Sequence, residues 1–325
     1  MQPTAMNASS QVAPRRPGVT VVHSIDRFVF TVPDLDAAQR FYAEFGLDAR
    51  REGERVDLYA HGHPHRWASI HAAPGPKRFQ YLRFGVYADD FAPLLARLDG
   101  LGIARRAPHA LGEEGGAWLA DPDGNVLQVV VADKVSASVP GPAAVPPAPP
   151  PGQGAAPARS RAGRVRPRQL SHVLLFSSDV ARSVGFYEQA LGLRLSDRSG
   201  DVIAFMHGAH GSDHHLLAFA KSGGPGLHHS SWVVGSIDEI GLGMQHMADC
   251  GYAHFWGVGR HVIGSNYFCY VQDPWGSFAE YSHGIDFVPA DLEWRAADHP
   301  LEDSFYVWGP PPPEDFVINH ELAVA

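Results

Sequence analysis

Cysteine is scarce in this sequence, which has only Cys250 and Cys269 in 325 residues. Two thiols are too few for a disulfide framework or a thiolate metal cage, so we expect inert core cysteines in a cytoplasmic protein. Charged residues make up only 19%, and the formal net charge of -9 argues against a nucleic-acid partner. No stretch has the roughly 20 apolar residues of a membrane span, and the N-terminus lacks the apolar core of a signal peptide. Neither nucleic acid nor a membrane is therefore an expected partner.

Periodic apolar residues are absent from residues 135–167, where proline and alanine dominate. Such a segment cannot bury enough apolar surface to offset its ordering entropy, so we predict an extended linker. The segment after residue 290 is too aromatic for a disordered tail. The sequence thus divides into a flexible tail at 1–20, an N-terminal domain at 21–134, the linker at 135–167, a C-terminal domain at 168–290 and an extension at 291–325 that packs on it.

The two predicted domains repeat one pattern. An apolar strand that ends at Asp34 (FVFTVPD) has its counterpart in one that ends at Asp179 (VLLFSSD), and each Asp can cap the helix that follows. Each helix then stops at a Gly-Leu pair, at Gly46 and at Gly192. Late in both halves a turn precedes a strand, DPDGNVLQVVV in the first and DPWGSFAEYS in the second. The pattern also recurs within each half, which predicts four strand-helix-strands units whose curved sheets surround a small cup.

Three residues that can bind a metal stand on predicted strands of the second half. His172 lies in LSHVLLF, His229 in LHHSSWVV and Glu280 in FAEY. In these motifs the sequence resembles the vicinal oxygen chelate superfamily and, within it, the type I extradiol ring-cleaving dioxygenases such as catechol 2,3-dioxygenase and dihydroxybiphenyl dioxygenase. The resemblance covers residues 25–290. It implies an α+β fold of two domains, each built from two βαβββ modules that form an incomplete barrel.

The resemblance also implies the metal and the reaction. His172, His229 and Glu280 would hold one Fe(II), while Mn(II) accepts the same ligands and is less favoured. Two imidazoles and one carboxylate leave three adjacent positions of an octahedron open, of which a catechol takes two and dioxygen one. Iron is favoured because the spin-forbidden reaction of dioxygen with a catechol needs a redox-active centre. The implied reaction is extradiol (meta) cleavage, which gives a 2-hydroxymuconic semialdehyde-type product in aromatic compound degradation.

Three further residues match positions of proton-transfer groups in that family. His214 precedes the second ligand, and the resemblance implies that it donates a proton during ring opening. His261 and Tyr270 precede Glu280, and the resemblance implies that they orient and deprotonate the catechol hydroxyls. These residue types suit the task, because His titrates near neutral pH and a substrate dianion needs hydrogen-bond donors around it.

Pairs of adjacent histidines leave two assignments open. His215 can replace His214, and His228 can replace His229, because neighbouring strand residues face opposite sides of a sheet. The alternation of His229 with Ser231 favours His229 as the ligand. The sequence therefore predicts His214 and His229, with a shift of one position as the alternative.

The first half departs from this pattern. When the repeats are overlaid, Arg27, Tyr81 and Gln128 take the places of the two histidines and the glutamate. No metal triad remains there, so the N-terminal domain is predicted to be non-catalytic and the C-terminal domain to hold the single metal. The separate cluster from His61 to His65 is interpreted as a surface loop, since Gly and Pro interrupt it.

Three rival functions share this scaffold. A 4-hydroxyphenylpyruvate-type dioxygenase has no need for His214, His261 and Tyr270. A glyoxalase-type isomerase needs a second carboxylate ligand, which has no match here. A drug-binding or aromatic-sequestering protein would hold no stoichiometric iron. We therefore expect an enzyme whose partners are a catechol and dioxygen, and the resemblance implies that it is a homo-oligomer. The sequence leaves open whether the catechol is monocyclic, bicyclic or carboxylated.

Overall fold

A computed structural model describes residues 15–141 and 149–322 of the protein. Residues 1–14 of the predicted flexible tail therefore lie outside the described residues. Within the described ranges, no helix is both long and apolar enough to cross a membrane. Two sheets dominate the architecture, a seven-stranded one in the N-terminal half and a ten-stranded one in the C-terminal half.

The N-terminal half contains two helices and seven strands. In chain order they are β1 Ser24–Val32, α1 Leu35–Glu44, β2 Asp48–Glu52, β3 Arg55–Tyr59, β4 Arg66–Ala72, β5 Arg78–Val86, α2 Ala88–Gly100, β6 Ala117–Ala120 and β7 Val126–Val131. The carboxylate of Asp34 accepts a hydrogen bond from the backbone N–H of Ala37 at 2.9 Å and caps α1, as predicted. Among the described residues of this half, only two strands follow α2, so the second module is described as βαββ, one strand short of the βαβββ pattern.

The C-terminal half contains two helices and twelve strands. In chain order they are β8 Gln169–Ser177, α3 Val180–Phe186, β9 Arg194–Ser199, β10 Ile203–His207, β11 Ser212–Asp213, β12 Leu217–Lys221, β13 Gly226–Val233, α4 Ile237–Asp249, β14 Phe255–His261, β15 Tyr267–Gln272, β16 Phe278–His283, β17 Phe287–Val288, β18 Ala297–Asp298 and β19 Tyr306–Trp308. Asp179 caps α3 by accepting from the N–H of Arg182 at 3.0 Å. A π-helical turn over Tyr187–Leu191 follows, and Gly192, at a φ of +74°, ends it in the left-handed region.

The centre of each sheet has the same four-strand arrangement. The order is β4-β1-β5-β7 in the first sheet and β12-β8-β13-β16 in the second. In both, the two middle strands are antiparallel and each pairs in parallel with its outer neighbour. Among the described strands, the two edges of neither sheet are hydrogen-bonded to each other. The predicted α+β fold of repeated modules with open barrels is confirmed.

The apolar core does not separate into two. One buried cluster contains residues of both halves. Phe45, just after α1, stacks on Tyr281 of β16 with ring centroids 3.9 Å apart. The hydroxyl of Tyr187 donates to buried Asp121 at 3.1 Å. Side chains on and beside the helices therefore join the two halves, and the proposed domain boundaries stay a prediction.

Two segments outside the sheets make specific contacts. In the described part of the linker, the hydroxyl of Ser136 donates to the backbone oxygen of His23 at 2.7 Å, and Val165 is buried in the core. In the C-terminal extension, β19 pairs with β14, and Phe316 is buried against the aromatic side chains of the C-terminal sheet. The extension therefore lies directly on this sheet.

Candidate metal centre

Three neighbouring strands bring two histidines and a glutamate together. β13 lies between β8 and β16, and Ser231 on β13 is opposite both His172 on β8 and Glu280 on β16. His229 stands two residues before Ser231, so it points to the same face of the sheet. The structure thus brings the three predicted ligands to one place.

The donor atoms of this group are close enough to bind one ion. Nε2 of His172 lies 3.2 Å from Nε2 of His229 and 3.2 Å from Oε2 of Glu280, and the third separation is 3.7 Å. Ligand atoms about 2.1 Å from one ion and at right angles are about 3.0 Å apart. All three residues are at most 3% exposed, and Oε2 of Glu280 has no hydrogen-bond partner among the described residues. Because an unpartnered buried carboxylate oxygen is costly, the group fits a bound cation.

Hydrogen bonds behind the two imidazoles leave their Nε2 atoms free. Nε2–H of His228 donates to a backbone oxygen of the C-terminal extension at 2.7 Å, so its Nδ1 accepts from Nδ1–H of His229, also at 2.7 Å. Nδ1–H of His172 donates to the hydroxyl of Ser171 at 3.2 Å, and that hydroxyl donates to Asp213 at 2.9 Å. Because each of the two rings carries its proton on Nδ1, each can present an Nε2 lone pair to an ion.

Burial and hydrogen bonding set the protonation states at the site. Burial raises the pKa of Glu280, but the close imidazoles of His172 and His261 outweigh it, and the pKa is lowered overall. Burial, together with neighbouring histidines, lowers the pKa of His229 and of His215 well below the ordinary value. The glutamate is therefore ionised and these two histidines are neutral, as metal ligation and proton acceptance require.

A cavity lies beside the candidate ligands and is lined by His172 and His229. Including the open space at its mouth, the cavity holds about 650 Å³. Its walls are mostly apolar and are formed by Leu174, Ile203, Phe205, Ala220, Ile263, Phe305, Phe316 and Val317. Three of these residues, Phe305, Phe316 and Val317, come from the C-terminal extension. The extension is therefore part of the site.

His261 and Tyr270 form a hydrogen-bonded pair that lines the cavity. Nδ1–H of His261 donates to the backbone oxygen of Phe305 at 2.8 Å, so its Nε2 accepts from the hydroxyl of Tyr270 at 2.9 Å. The same Nε2 is 4.0 Å from Oε1 of Glu280. Burial and the Glu280 carboxylate raise the pKa of Tyr270 well above its ordinary value, so the phenol keeps its proton. Both predicted residues thus lie beside the candidate ligands.

The structure places His215, and not His214, in the cavity. The ring of His215 lies 4.1 Å from that of His172 and 4.8 Å from that of Phe205, centroid to centroid. His214 is not among the lining residues and packs against Trp294, 5.0 Å away. The prediction that His214 faces the site is corrected to His215. Adjacent residues of an extended segment face opposite sides, so a shift of one position exchanges them.

His214 contacts His215 from behind. Nε2–H of His214 donates to Oδ2 of Asp197 at 2.8 Å, and Asp197 also accepts from the N–H of Ala297 at 2.7 Å. Nδ1 of His214 is then the acceptor for Nδ1–H of His215 at 3.1 Å, which leaves an Nε2 lone pair of His215 for the cavity. Burial raises the pKa of Asp197, but the hydrogen bonds from His214 and Ala297 and the nearby imidazoles together outweigh it, and the lowered pKa keeps the carboxylate ionised.

Sequence reasoning missed Asn266. Its side-chain amide donates to Oε1 of Glu280 and to the hydroxyl of Ser282, at 3.0 Å each, and it lines the cavity. The bond to Glu280 fixes its Oε1 and leaves Oε2 beside the two histidines. The run Gly264-Ser-Asn266 is typical of a turn, so the sequence contains no signal that separates this Asn from an ordinary turn residue.

The histidines at 61–65 form no comparable group. This segment is a loop between β3 and β4, as predicted. Nε2 of His65 contacts the backbone oxygen of Asp26 at 2.7 Å, and the ring of His63 lies 4.6 Å from that of Trp67. Within residues 15–141 and 149–322, no converging three-ligand group includes them.

Sequence and fold together place the chain in a known family. The model of the Glyoxalase/Bleomycin resistance protein/Dioxygenase superfamily matches residues 24–129 and 169–281. The chain belongs to this superfamily, and the resemblance drawn from its repeats and motifs is confirmed. Each match covers one half of the chain, as expected from the repeated modules.

The chain is similar to a known protein in sequence and to solved structures in fold. The chain is 50% identical over 300 residues to Metapyrocatechase 2 of Cupriavidus necator, an alignment that covers 92% of this chain and 93% of that protein. A variant of homoprotocatechuate 2,3-dioxygenase from Brevibacterium fuscum superposes with a TM-score of 0.71 at 17% identity, covering 94% and 82% of the two chains. The Mn(II)-bound glyoxalase of Novosphingobium aromaticivorans superposes with a TM-score of 0.69 at 23% identity, covering 91% and 94%. These two structures share the fold with this protein.

Proposed function

We propose that this protein is an iron(II)-dependent extradiol dioxygenase that cleaves catechols. The observation that carries the proposal is the convergence of His172, His229 and Glu280 at an apolar cavity. The 50% identity to Metapyrocatechase 2 supports it. The ring opens next to its two hydroxyls, both atoms of dioxygen enter the product, and a 2-hydroxymuconic semialdehyde-type compound results.

In this proposal His172, His229 and Glu280 hold the metal ion. The Nε2 atoms of the two histidines and Oε2 of the glutamate would hold the ion, and three protein ligands would leave room on it for the substrates. Bound Fe(II) supplies the open-shell redox chemistry that dioxygen and a catechol need. Mn(II) accepts the same ligands and is also an open-shell ion, so the choice of iron over manganese rests on the resemblance to the extradiol dioxygenases.

Tyr270 and His261 receive the hydroxyl edge of the substrate. Because the phenol donates its proton to Nε2 of His261, the phenol oxygen keeps its lone pairs for a catechol hydroxyl. A proton that leaves that hydroxyl can pass through Oη of Tyr270 to Nε2 of His261. The backbone oxygen that accepts from Nδ1–H then stabilises the imidazolium.

His215 takes the proton-transfer role that the sequence assigned to His214. Its Nε2 lone pair is directed at the cavity, where it can accept a proton from the substrate and return it when the ring opens. Asp197 and His214 act as positioning residues. They fix the tautomer of His215 and stabilise the positive charge that a protonated ring acquires.

The cavity favours uncharged catechols. Among the described residues that line it, none is Lys or Arg. A substrate carboxylate would lose its hydration without gaining a cationic partner, which costs free energy. We therefore propose catechol and its alkyl or aryl derivatives as substrates, and slow turnover of a carboxylated catechol.

Oxygen uptake with a panel of catechols tests the proposal. Protein loaded with Fe(II) under anaerobic conditions is mixed in air with catechol, methylcatechols, dihydroxybiphenyl and homoprotocatechuate. We expect a yellow product and one dioxygen consumed per ring for the uncharged compounds, with homoprotocatechuate the slowest. Absence of oxygen uptake with every catechol would overturn the proposal.

Metal content tests the choice of ion. Elemental analysis of the purified protein should find near-stoichiometric iron, and Mn(II)-loaded protein should turn over more slowly than Fe(II)-loaded protein. Iron-free protein that binds aromatic compounds without turnover would instead identify a sequestering protein. A homo-oligomer and a cytoplasmic location stay predictions of the sequence, and light scattering of the purified protein checks the first.

A further inference from the structure

A second group of metal-ligand residues lies outside the cavity, where α1 meets α4. Glu44 is the last residue of α1, and His246 and Cys250 lie four positions apart at the end of α4. Sγ of Cys250 is 3.6 Å from Oε2 of Glu44 and 3.5 Å from Nε2 of His246, and those two atoms are 2.7 Å apart. Ligands of a tetrahedral zinc ion are about 3.4–3.6 Å apart. The sulfur separations already match, and the hydrogen-bonded His-Glu pair has to open by less than about 1 Å.

This group is open to solvent. Cys250 is exposed, which corrects the expectation of a core cysteine, and only Cys269 is buried. The side chains of Glu44 and His246 are 37% and 36% exposed. Residues four apart stack on one side of a helix, which brings His246 and Cys250 to the same face. An ion can therefore reach all three donors from solvent and keep a water as its fourth ligand.

Arg164 also contacts this group without closing it. Its guanidinium donates to Oε2 of Glu44 at 2.8 Å and to the backbone oxygen of Ala43 at 2.5 Å. A carboxylate oxygen has two lone pairs, so Oε2 of Glu44 can accept from Arg164 through one of them and bind an ion through the other. The arginine then orients the ligand, as outer partners of metal ligands commonly do.

We propose that Glu44, His246 and Cys250 form a second metal site, one that takes a zinc-like divalent ion. A thiolate and an imidazole select Zn(II) over Mg(II), Ca(II) and Mn(II), whereas the group in the cavity contains no sulfur. Binding releases the thiol proton of Cys250 to solvent and displaces the proton that Nε2 of His246 donates to Glu44, so that the neutral ring carries its proton on Nδ1. Because ligation needs the thiolate and the neutral imidazole, affinity rises with pH. The site is independent of the proposed dioxygenase function.

An ion at this position connects the two halves of the chain. α1 belongs to the N-terminal half and α4 to the C-terminal half, and the Phe45–Tyr281 stack lies directly beside Glu44 in sequence. The unfolded chain does not hold the three donors together, so an ion that binds only the folded form raises the melting temperature by mass action.

Titration with Co(II) tests the site on the full-length, Fe(II)-loaded protein under anaerobic conditions. Thiolate bound to Co(II) gives a near-ultraviolet charge-transfer band, which the sulfur-free group in the cavity cannot produce. We expect the band to saturate at one Co(II) per chain and to vanish in Cys250→Ser. Glu44→Gln and His246→Gln should each weaken Co(II) binding more than about tenfold. Zn(II) should displace the cobalt and slow the reaction of Cys250 with a thiol reagent more than about tenfold.

Asp249→Asn is the matched control. Asp249 adjoins Cys250 in sequence, but its carboxylate pairs with Arg159 and Gln245. Its loss removes the same charge as Glu44→Gln and should change Co(II) affinity less than about threefold. Absence of the band in the parent protein would overturn the proposal. So would a band of unchanged affinity in Glu44→Gln and His246→Gln, because the thiol would then bind cobalt alone.

Discussion

The two halves of the molecule have the same arrangement of central strands, but different residue types occupy the equivalent positions. In the N-terminal sheet Arg27 and Gln128 flank Arg83, just as two candidate metal ligands flank Ser231 in the C-terminal sheet. Tyr81 takes the place of the third ligand. The strand register thus confirms the overlay of the repeats that the sequence suggested. Equivalent positions converge in both halves, but among the described residues those of the C-terminal sheet alone are two histidines and a glutamate.

An ionic network occupies the N-terminal cup. The carboxylate of Glu113 pairs with Arg27 at 2.8 Å, with Arg83 at 2.8 Å and with Arg66. The amide of Gln128 donates to the backbone oxygen of Glu113 at 3.3 Å. Half-buried guanidinium groups repel a metal ion and need anionic partners of their own. The sheet therefore supplies converging positions, and the residue types placed there decide whether the cup binds a ligand or pairs its own charges.

Removal of the carboxylate from the C-terminal cup should have the largest effect. Glu280→Ala leaves two neutral histidines, which hold a divalent ion weakly, so iron should be lost and kcat/KM for catechol should fall more than about 10³-fold. Elemental analysis and oxygen uptake measure both. Gln128→Ala removes the side chain at the equivalent position of the N-terminal sheet. This variant should keep its iron and stay within about threefold of the parent activity. Loss of iron in Gln128→Ala would contradict the proposal that metal binding depends on the C-terminal sheet and not on the equivalent N-terminal position.

A smaller effect should separate the two adjacent histidines. His215→Phe leaves the three candidate ligands intact, so iron and catechol binding should persist while kcat falls about 10²- to 10⁴-fold through loss of the proton acceptor. His214→Phe removes only the group behind it and should lower kcat about tenfold. Single-turnover kinetics with iron-loaded protein measure both rates.

The conservative change His214→Gln serves as the control. An amide can donate to Asp197 and accept from His215, so most of the rate lost in His214→Phe should return. A larger loss of kcat in His214→Phe than in His215→Phe would restore the assignment drawn from the sequence.

The sequence predicted what regular structure determines. Asp34 and Asp179 mark the starts of α1 and α3 because a carboxylate satisfies backbone N–H groups of the first turn. His229 could be preferred over His228 because β13 keeps its register from His229 to Ser231, so these two side chains point to the same face. The three candidate ligands lie on strands, and for them the placement of the side chains agrees with the prediction.

The sequence did not predict what irregular structure and tertiary packing determine. His214 and His215 lie between β11 and β12, where no ladder fixes which residue faces inward. Asn266 follows a turn and precedes β15, and the carboxylate of Glu280 to which it donates lies on β16. The shared core depends on which faces of the helices and sheets meet. Phe45, for example, stacks on Tyr281, which is more than two hundred positions away in sequence. Local periodicity contains none of this information.

The smallest expected effect concerns stability and sharpens the role of Glu113. Burial raises the pKa of Glu113, but Arg27 and Arg66 outweigh it and lower the pKa from 4.5 to about 2. A lowered pKa means that the ionised form stabilises the fold above about pH 4.5, and that this contribution is lost as the pH falls toward 2. With 43% of the side chain exposed, the pairing contributes about 1–2 kcal/mol.

Glu113→Gln should therefore lower the free energy of unfolding of metal-free protein by that amount at neutral pH, as measured with urea. The difference from the parent should shrink as the pH falls from about 4.5 toward 2, because the parent then loses the same charge. Glu114→Gln, at an exposed neighbouring position, should cost less than about 0.5 kcal/mol at either pH. An unchanged difference between neutral and acidic pH would mean that Glu113 acts through packing, and that charge pairing does not stabilise the N-terminal cup.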